Sequence, residues 1–187
     1  MFNNEKMKEL VSYIISKCDY KNSFGKTVLY KLLYFSDFNF YEIYEKSITD
    51  ETYIRRDKGP IPKHFEIIKE ELVNEGKIKE EKEFVINYPK YKYLSLKIPE
   101  IKLLSEKELE VTNAVLEKLS KMNATTISDY SHGDMPWRAT KNKEKIDYEF
   151  VFYRDDEYSV REYEKKTRCL NTDLNVVVIN LKMNLTS

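Results

Sequence analysis

Apolar residues recur at three- and four-residue steps through the first part of the chain. Met7, Leu10, Val11, Ile14 and Cys18 make one stripe, which predicts an amphipathic helix over Asn4 to Lys17. Asp19 to Phe24 reads as a polar connection. A second helix is expected over about Gly25 to Lys46, carrying Val28, Leu29, Leu32, Leu33, Phe35 and Phe38 together with Tyr34, Phe40, Tyr41 and Tyr44. Its apolar arc is too wide for a helix lying on the surface of a core, so it is expected at the centre, covered on more than one side.

The pattern breaks at Ser47 to Asp50, and "ETYIRR" has the β-branched and aromatic content of a short strand. "KGPIPK" then forms a rigid corner: Gly59 can take backbone angles other residues avoid, and Pro60 and Pro62 fix φ and remove two amide donors. Beyond it Ile61, Phe65, Ile68 and Leu72 fit one face of a third helix that stops at Gly76. "KIKEEKEFVINYPKYKYLSLKI" alternates apolar and polar residues on both sides of "NYPKY", predicting a hairpin with Pro89 near its turn. Ser105 and Glu108 have capping-box spacing and open another helix with Leu109, Thr112, Val115, Leu116 and Leu119 on its stripe. "TTISDYSHGDMPWRAT" reads as a short capped helix ending in a Gly-Pro loop that presents Trp137. The aromatic, charged stretch from Ile146 to Tyr163 yields no assignment, and "NVVVINLKMNL" fits a terminal strand or a sticky tail.

These elements predict one α+β domain, mainly α-helical, with a small β-hairpin or sheet. The 187 residues carry 32 Lys plus Arg and 32 Asp plus Glu, so no overall cationic field draws the chain to nucleic acid or an anionic membrane. The two cysteines, Cys18 and Cys169, match no disulfide framework or metal spacing and read as buried or incidental thiols in a reducing cytoplasm. The N-terminus lacks the apolar core of a signal peptide, and no apolar run has membrane-spanning length, so a cytoplasmic location is expected.

Catalytic chemistry finds little purchase. His64 and His132 have no metal-ligand spacing to Cys, His or acids, and His64 reads as a packed or capping histidine. "SHGDMPW" brings Ser131, His132 and Asp134 close in sequence, but a triad is a spatial arrangement, and neighbours on one loop usually point apart. The four glycines build no phosphate cradle. No metal, cofactor or enzymatic activity is expected. A helix followed by a hairpin outlines a winged helix, with Arg55, Arg56, Lys58 and Lys63 beside it. Glu66, Glu70, Glu71 and Glu75 would make that helix repel phosphate, so a solvated, ion-paired face is preferred to a DNA-binding one.

"KLLYFSD", the "SIT" followed by Tyr53, the Gly59-Pro60 corner and the "SH" and "PW" pairs occur in an order that resembles the Panacea domain, the antitoxin-associated family that includes SocA-like proteins and many phage-encoded members. The resemblance covers about Met7 to Tyr153. It implies a mostly helical domain with a small β element that binds and neutralises a cognate toxin protein. It also implies one alternative, an adaptor delivering a toxin to an AAA+ protease, while the winged-helix outline leaves a DNA-binding regulator as another. Some members carry an added DNA-binding domain, for which the residues before Met7 leave no room. The domain is expected over residues 1–166, with a tail of unknown role at 167–187. Tyr53, Arg55, Arg56, Gly59, Pro60, His132 and Trp137 are the candidate partner-binding residues, because an outward-facing strand beside a rigid corner loses little entropy on docking.

Overall fold

A computed structural model describes residues 1–21, 24–85 and 88–161. The "NVVVINLKMNL" segment, Cys169 and the expected boundary at 166 lie outside the described residues. Helix α1 spans Asn4–Cys18 and α2 Lys26–Tyr44; the two-residue strands β1, Tyr53–Ile54, and β2, Ile61–Pro62, come next. They are followed by α3, Phe65–Asn74, the hairpin strands β3, Ile78–Val85, and β4, Tyr88–Ser95, then α4, Glu106–Leu119, α5, Ala124–Gly133, α6, Met135–Ala139, and a 3-10 turn, Tyr148–Tyr153. The chain is thus a mainly helical α+β domain with two small antiparallel sheets.

Helix α2 is the axis of the core. Val28, Leu29, Leu32, Leu33, Tyr34 and Phe38 are fully buried, and α1, α4, α5 and the 3-10 turn pack round them. That is the arrangement its wide apolar arc demands. Helix α1 contributes Met7, Leu10, Val11 and Ile14 on one stripe; Cys18, at its end, is a buried free thiol whose ionisation burial pushes up. Helix α4 opens with the expected capping box: Ser105 Oγ accepts from Glu108 N, and Glu108 Oε2 accepts from Ser105 N at 2.8 Å.

The hairpin has Phe84 opposite Pro89, so the proline sits beside the turn as its spacing predicts. Tyr93 turns inward against Phe65, tying the hairpin to α3. Two expectations need correction. Ile61 lies in β2, opposite Ile54, and not on a helix, because the following Pro62 holds it in extended conformation. Trp137 lies inside α6 and not in a loop; Pro136 stands in that helix's first turn, where a missing amide donor costs nothing. No helix among the described residues is long and apolar enough to cross a membrane.

Candidate functional site

The four sequence signatures converge on one corner of the molecule, and each supplies a different fastening. Of the charged residues in "KLLYFSD", Lys31 and Asp37 are both buried on α2, at 1% and 0% exposure. Asp37 Oδ1 accepts from the backbone amides of Ile48 and Thr49, both at 2.9 Å; its Oδ2 accepts from Thr49 Oγ1 at 2.7 Å and from Tyr53 OH at 2.8 Å. One carboxylate therefore gathers the "SIT" turn and β1 onto the central helix. Burial raises its pKa to about 6, against donors from Thr49 and Tyr53 that pull the other way.

Lys31 extends towards the Gly-Pro turn and donates from Nζ to the Pro60 carbonyl at 3.1 Å. Removal from water lowers its pKa to about 7. Gly59 adopts φ +90°, and a Cβ there would strike Ser131 Oγ and lie 2.7 Å from Lys31 Cε. Glycine is thus required twice, by the backbone angle and by the close approach of α2 and α5.

The "SH" and "PW" pairs grip the outer side of the turn. Trp137 Nε1 donates to the Arg56 carbonyl at 3.3 Å, and the His132 ring lies beside the backbone of Asp57. The two rings stack with centroids 4.4 Å apart, and the Arg55 guanidinium lies 3.8 Å from the centroid of the Trp137 ring. His132 and Arg55 thus both pack on the indole. Arg55 also donates from Nη1 to the carbonyl oxygens of Thr140 and, at 3.4 Å, Arg138.

Of the seven candidate contact residues, Tyr53, Gly59 and Pro60 are buried and serve to hold the corner. Arg55, His132 and Trp137 are half-buried in the stack, and Arg56 is exposed. Ser131, His132 and Asp134 do not assemble as a triad: Ser131 Oγ donates to the Ser128 carbonyl, while Asp134 is committed to Arg154 and Tyr34. His64 stands at the N-cap position of α3 but its side chain makes no cap bond; its Nδ1 lies 2.8 Å from Glu51 Oε1, as a packed histidine. The candidate recognition helix α3 has its acids engaged, Glu66 with Lys26 and Lys69, and Glu71 and Glu75 with Lys8.

Sequence reasoning missed the buried charges that organise all this. Lys31 and Asp37 stood inside a quoted motif, yet their period within an apolar helix was the available signal, since a charge on a fully buried face must have a built partner. Asp134 and Arg154 gave no local sign at all.

A mainly helical α+β domain whose signature residues fasten one rigid corner is the class that fold and site define. The family model described as antitoxin SocA-like, Panacea domain, matches residues 29–138, and the chain belongs to that family. The match runs from α2 into α6 and includes Lys31, Asp37, Tyr53, Gly59, Ser131, His132 and Trp137, while Thr140, which Arg55 also engages, lies just beyond it. No curated protein and no solved structure matches the chain.

Proposed function

We propose that the chain is a non-catalytic antitoxin that neutralises a cognate protein toxin by direct binding. Its contact face comprises Arg55, Arg56, His132 and Trp137, supported from beneath by Tyr53, Gly59 and Pro60. The observation that carries this reading is the pre-organised corner: backbone carbonyls of the turn are held by Trp137 and Lys31, while the Arg56 side chain stands in solvent. A face already ordered before it docks avoids much of the conformational cost of association. The "SHGDMPW" residues that an acyl-transfer reading would need are occupied structurally, which supports a binding role over a catalytic one.

The test is co-expression with the product of the adjacent reading frame. Arg56→Glu should abolish protection from that product at equal expression while leaving the melting temperature within about 1 °C, since exposed charges contribute little to folding. Arg55→Glu is not equivalent. It removes the guanidinium packed on the indole and the bonds to the Thr140 and Arg138 carbonyls, and should cost about 1 to 3 kcal/mol of stability. Full protection by the Arg56 variant would move the toxin contact away from this corner.

A further inference from the structure

The charge balance of the whole chain conceals a local imbalance at this corner. Several cations elsewhere on the described surface are matched, Lys6 with Glu108, Lys8 with Glu75, Lys69 with Glu80 and Lys92 with Glu83, while exposed Lys17, Lys46, Lys107 and Lys121 stand scattered without an ion pair. At the corner, two segments distant in sequence lie side by side. Arg55 N donates to the Glu144 carbonyl, Lys143 N donates to the Arg55 carbonyl, and Ile54 bridges to Lys145. This pairing sets the exposed side chains of Lys141, Lys143 and Lys145 beside those of Arg56 and Lys58. Among the described residues none of these five forms an ion pair or side-chain hydrogen bond. Of the nearby acids, Asp155 is paired with Arg138, while Asp57, bonded only by the neutral Asn142 amide, keeps its charge, so exposed Asp57 and Glu144 stand against five cations.

Two further features separate this patch from an incidental solvated face. Lys143 holds φ +69°, a left-handed conformation that a lysine adopts only when its surroundings impose it. The imposed bond is the one from its amide to Arg55, so backbone strain and cation placement have the same origin. The patch also borders the Arg55–Trp137–His132 stack, which fixes the segment following β1.

We propose that this face receives an acidic segment of a protein partner, a run of Asp and Glu side chains on a helix or loop. The proposal rests on the antitoxin reading above and adds to it the chemistry of the partner. Five unpaired cations on two fastened segments make a compact positive potential on a neutral molecule, which steers an acidic partner and rejects basic ones. A nucleic acid is the competing occupant. It is disfavoured because Trp137 is already packed against both His132 and Arg55, so a base would have to displace one of them to stack on the indole. The cations also ride on turns and not on a helix or ribbon that could enter a groove.

The experiment uses the full chain labelled with nitrogen-15 and titrated with a hexaglutamate peptide, in parallel with a 20-base-pair DNA duplex, at about 150 mM salt. Amide shifts confined to residues 55–58 and 140–145, saturating with the peptide, are the expected result. Lys141→Glu combined with Lys145→Glu should weaken peptide binding at least tenfold. Lys143→Gly removes a charge while relieving the left-handed backbone, so it should weaken binding severalfold and raise the melting temperature, separating charge from misfolding. Peptide shifts that fall elsewhere, no shifts at all, or tighter binding of the duplex at these residues would each overturn the proposal. Protection of cells separates the two readings: a wild-type chain that protects, with a charge-reversed variant that protects equally, removes the acidic partner and keeps the antitoxin. A wild-type chain that binds hexaglutamate here but protects against no neighbouring product does the reverse.

Discussion

Arg154 and Asp134 face each other in a two-pronged ion pair, Nε to Oδ1 and Nη2 to Oδ2, both at 2.8 Å and both without solvent exposure. Arg154 Nη1 turns to Glu42 and Asn39 on α2, each at 2.8 Å, and Asp134 Oδ2 also accepts from Tyr34 OH. Burial disfavours the guanidinium charge, but Asp134 and Glu42 outweigh it and hold the proton. The segment after the 3-10 turn is thereby bolted to the central helix and to the junction between α5 and α6 from which Trp137 projects.

Arg154→Leu should therefore be severely destabilising. It removes the cation that pairs buried Asp134, leaving that carboxylate only the Tyr34 hydroxyl, and takes one of two cations from Glu42, an outcome that typically costs about 3 to 5 kcal/mol. For a domain of this size that lowers the melting temperature by roughly 6 to 20 °C. Thermal unfolding followed by circular dichroism checks it, and a loss under about 2 °C would show that the pair carries little.

Gly59 and Gly76 offer a matched comparison, since both have positive φ, at +90° and +62°. A Cβ at Gly76 would meet nothing nearer than Lys97 Nζ at 4.0 Å, whereas at Gly59 it collides with α2 and α5 side chains. Gly76→Ala should cost about 1 to 2 kcal/mol from the backbone alone. Gly59→Ala should cost roughly 2 to 5 kcal/mol, because strain and overpacking add. Urea titration of both variants gives the difference; equal losses would mean that the corner yields freely to a methyl group.

What the sequence made legible was local. The stripes of α1 and α4, the capping box and the hairpin alternation each lie within a few residues of their own cause, and each is present in the fold. The corner was legible as a corner because Gly59, Pro60 and Pro62 restrict the backbone whatever surrounds them. What holds it was not. Arg154 is 112 residues from Glu42 and 20 from Asp134, and nothing local distinguishes it from the solvated arginines nearby. The 3-10 turn carrying Tyr148 and Val151 has neither a helical nor a strand period, so its aromatic content could not be read. The same long separation hid the basic face, since Arg56 and Lys143 become neighbours only through backbone pairing between β1 and a distant loop.

Lys31 should make stability depend on pH in a window set by its folded value of about 7 and its ordinary value of 10.5. Its pKa is lowered on folding, so within the window the unfolded chain holds a proton that the folded chain has released. Raising pH from 7 towards 10.5 therefore stabilises the fold, by up to about 1.4 kcal/mol per pH unit. Lys31→Met keeps the length of the side chain and removes the charge. Chemical denaturation at pH 7, 8 and 9 should show the wild type gaining stability relative to the variant as pH rises. A constant difference across the three would mean that the ammonium is paired or hydrated.

His132 and Trp137 provide an optical readout of the corner, because Trp137 is the one tryptophan of the chain. His132 Nε2 is buried and finds no partner, and the ring is held instead at the Asp57 backbone. Protonation would create a buried N–H with nothing to receive it. Burial accordingly lowers the imidazole pKa from 6.5, helped by the charges of Lys31 and Arg55 and opposed by Asp129. A group whose pKa is lowered on folding lends stability above its unfolded value and loses it as pH falls through the folded one. The corner should thus weaken below pH 6.5, and imidazolium stacked 4.4 Å from the indole should quench its fluorescence over the same range. A single-site transition in tryptophan emission with a midpoint below 6.5, absent in His132→Gln, is the expected outcome. A midpoint at or above 6.5 would mean that the ring is solvated and that the His132–Trp137 stack is open in solution.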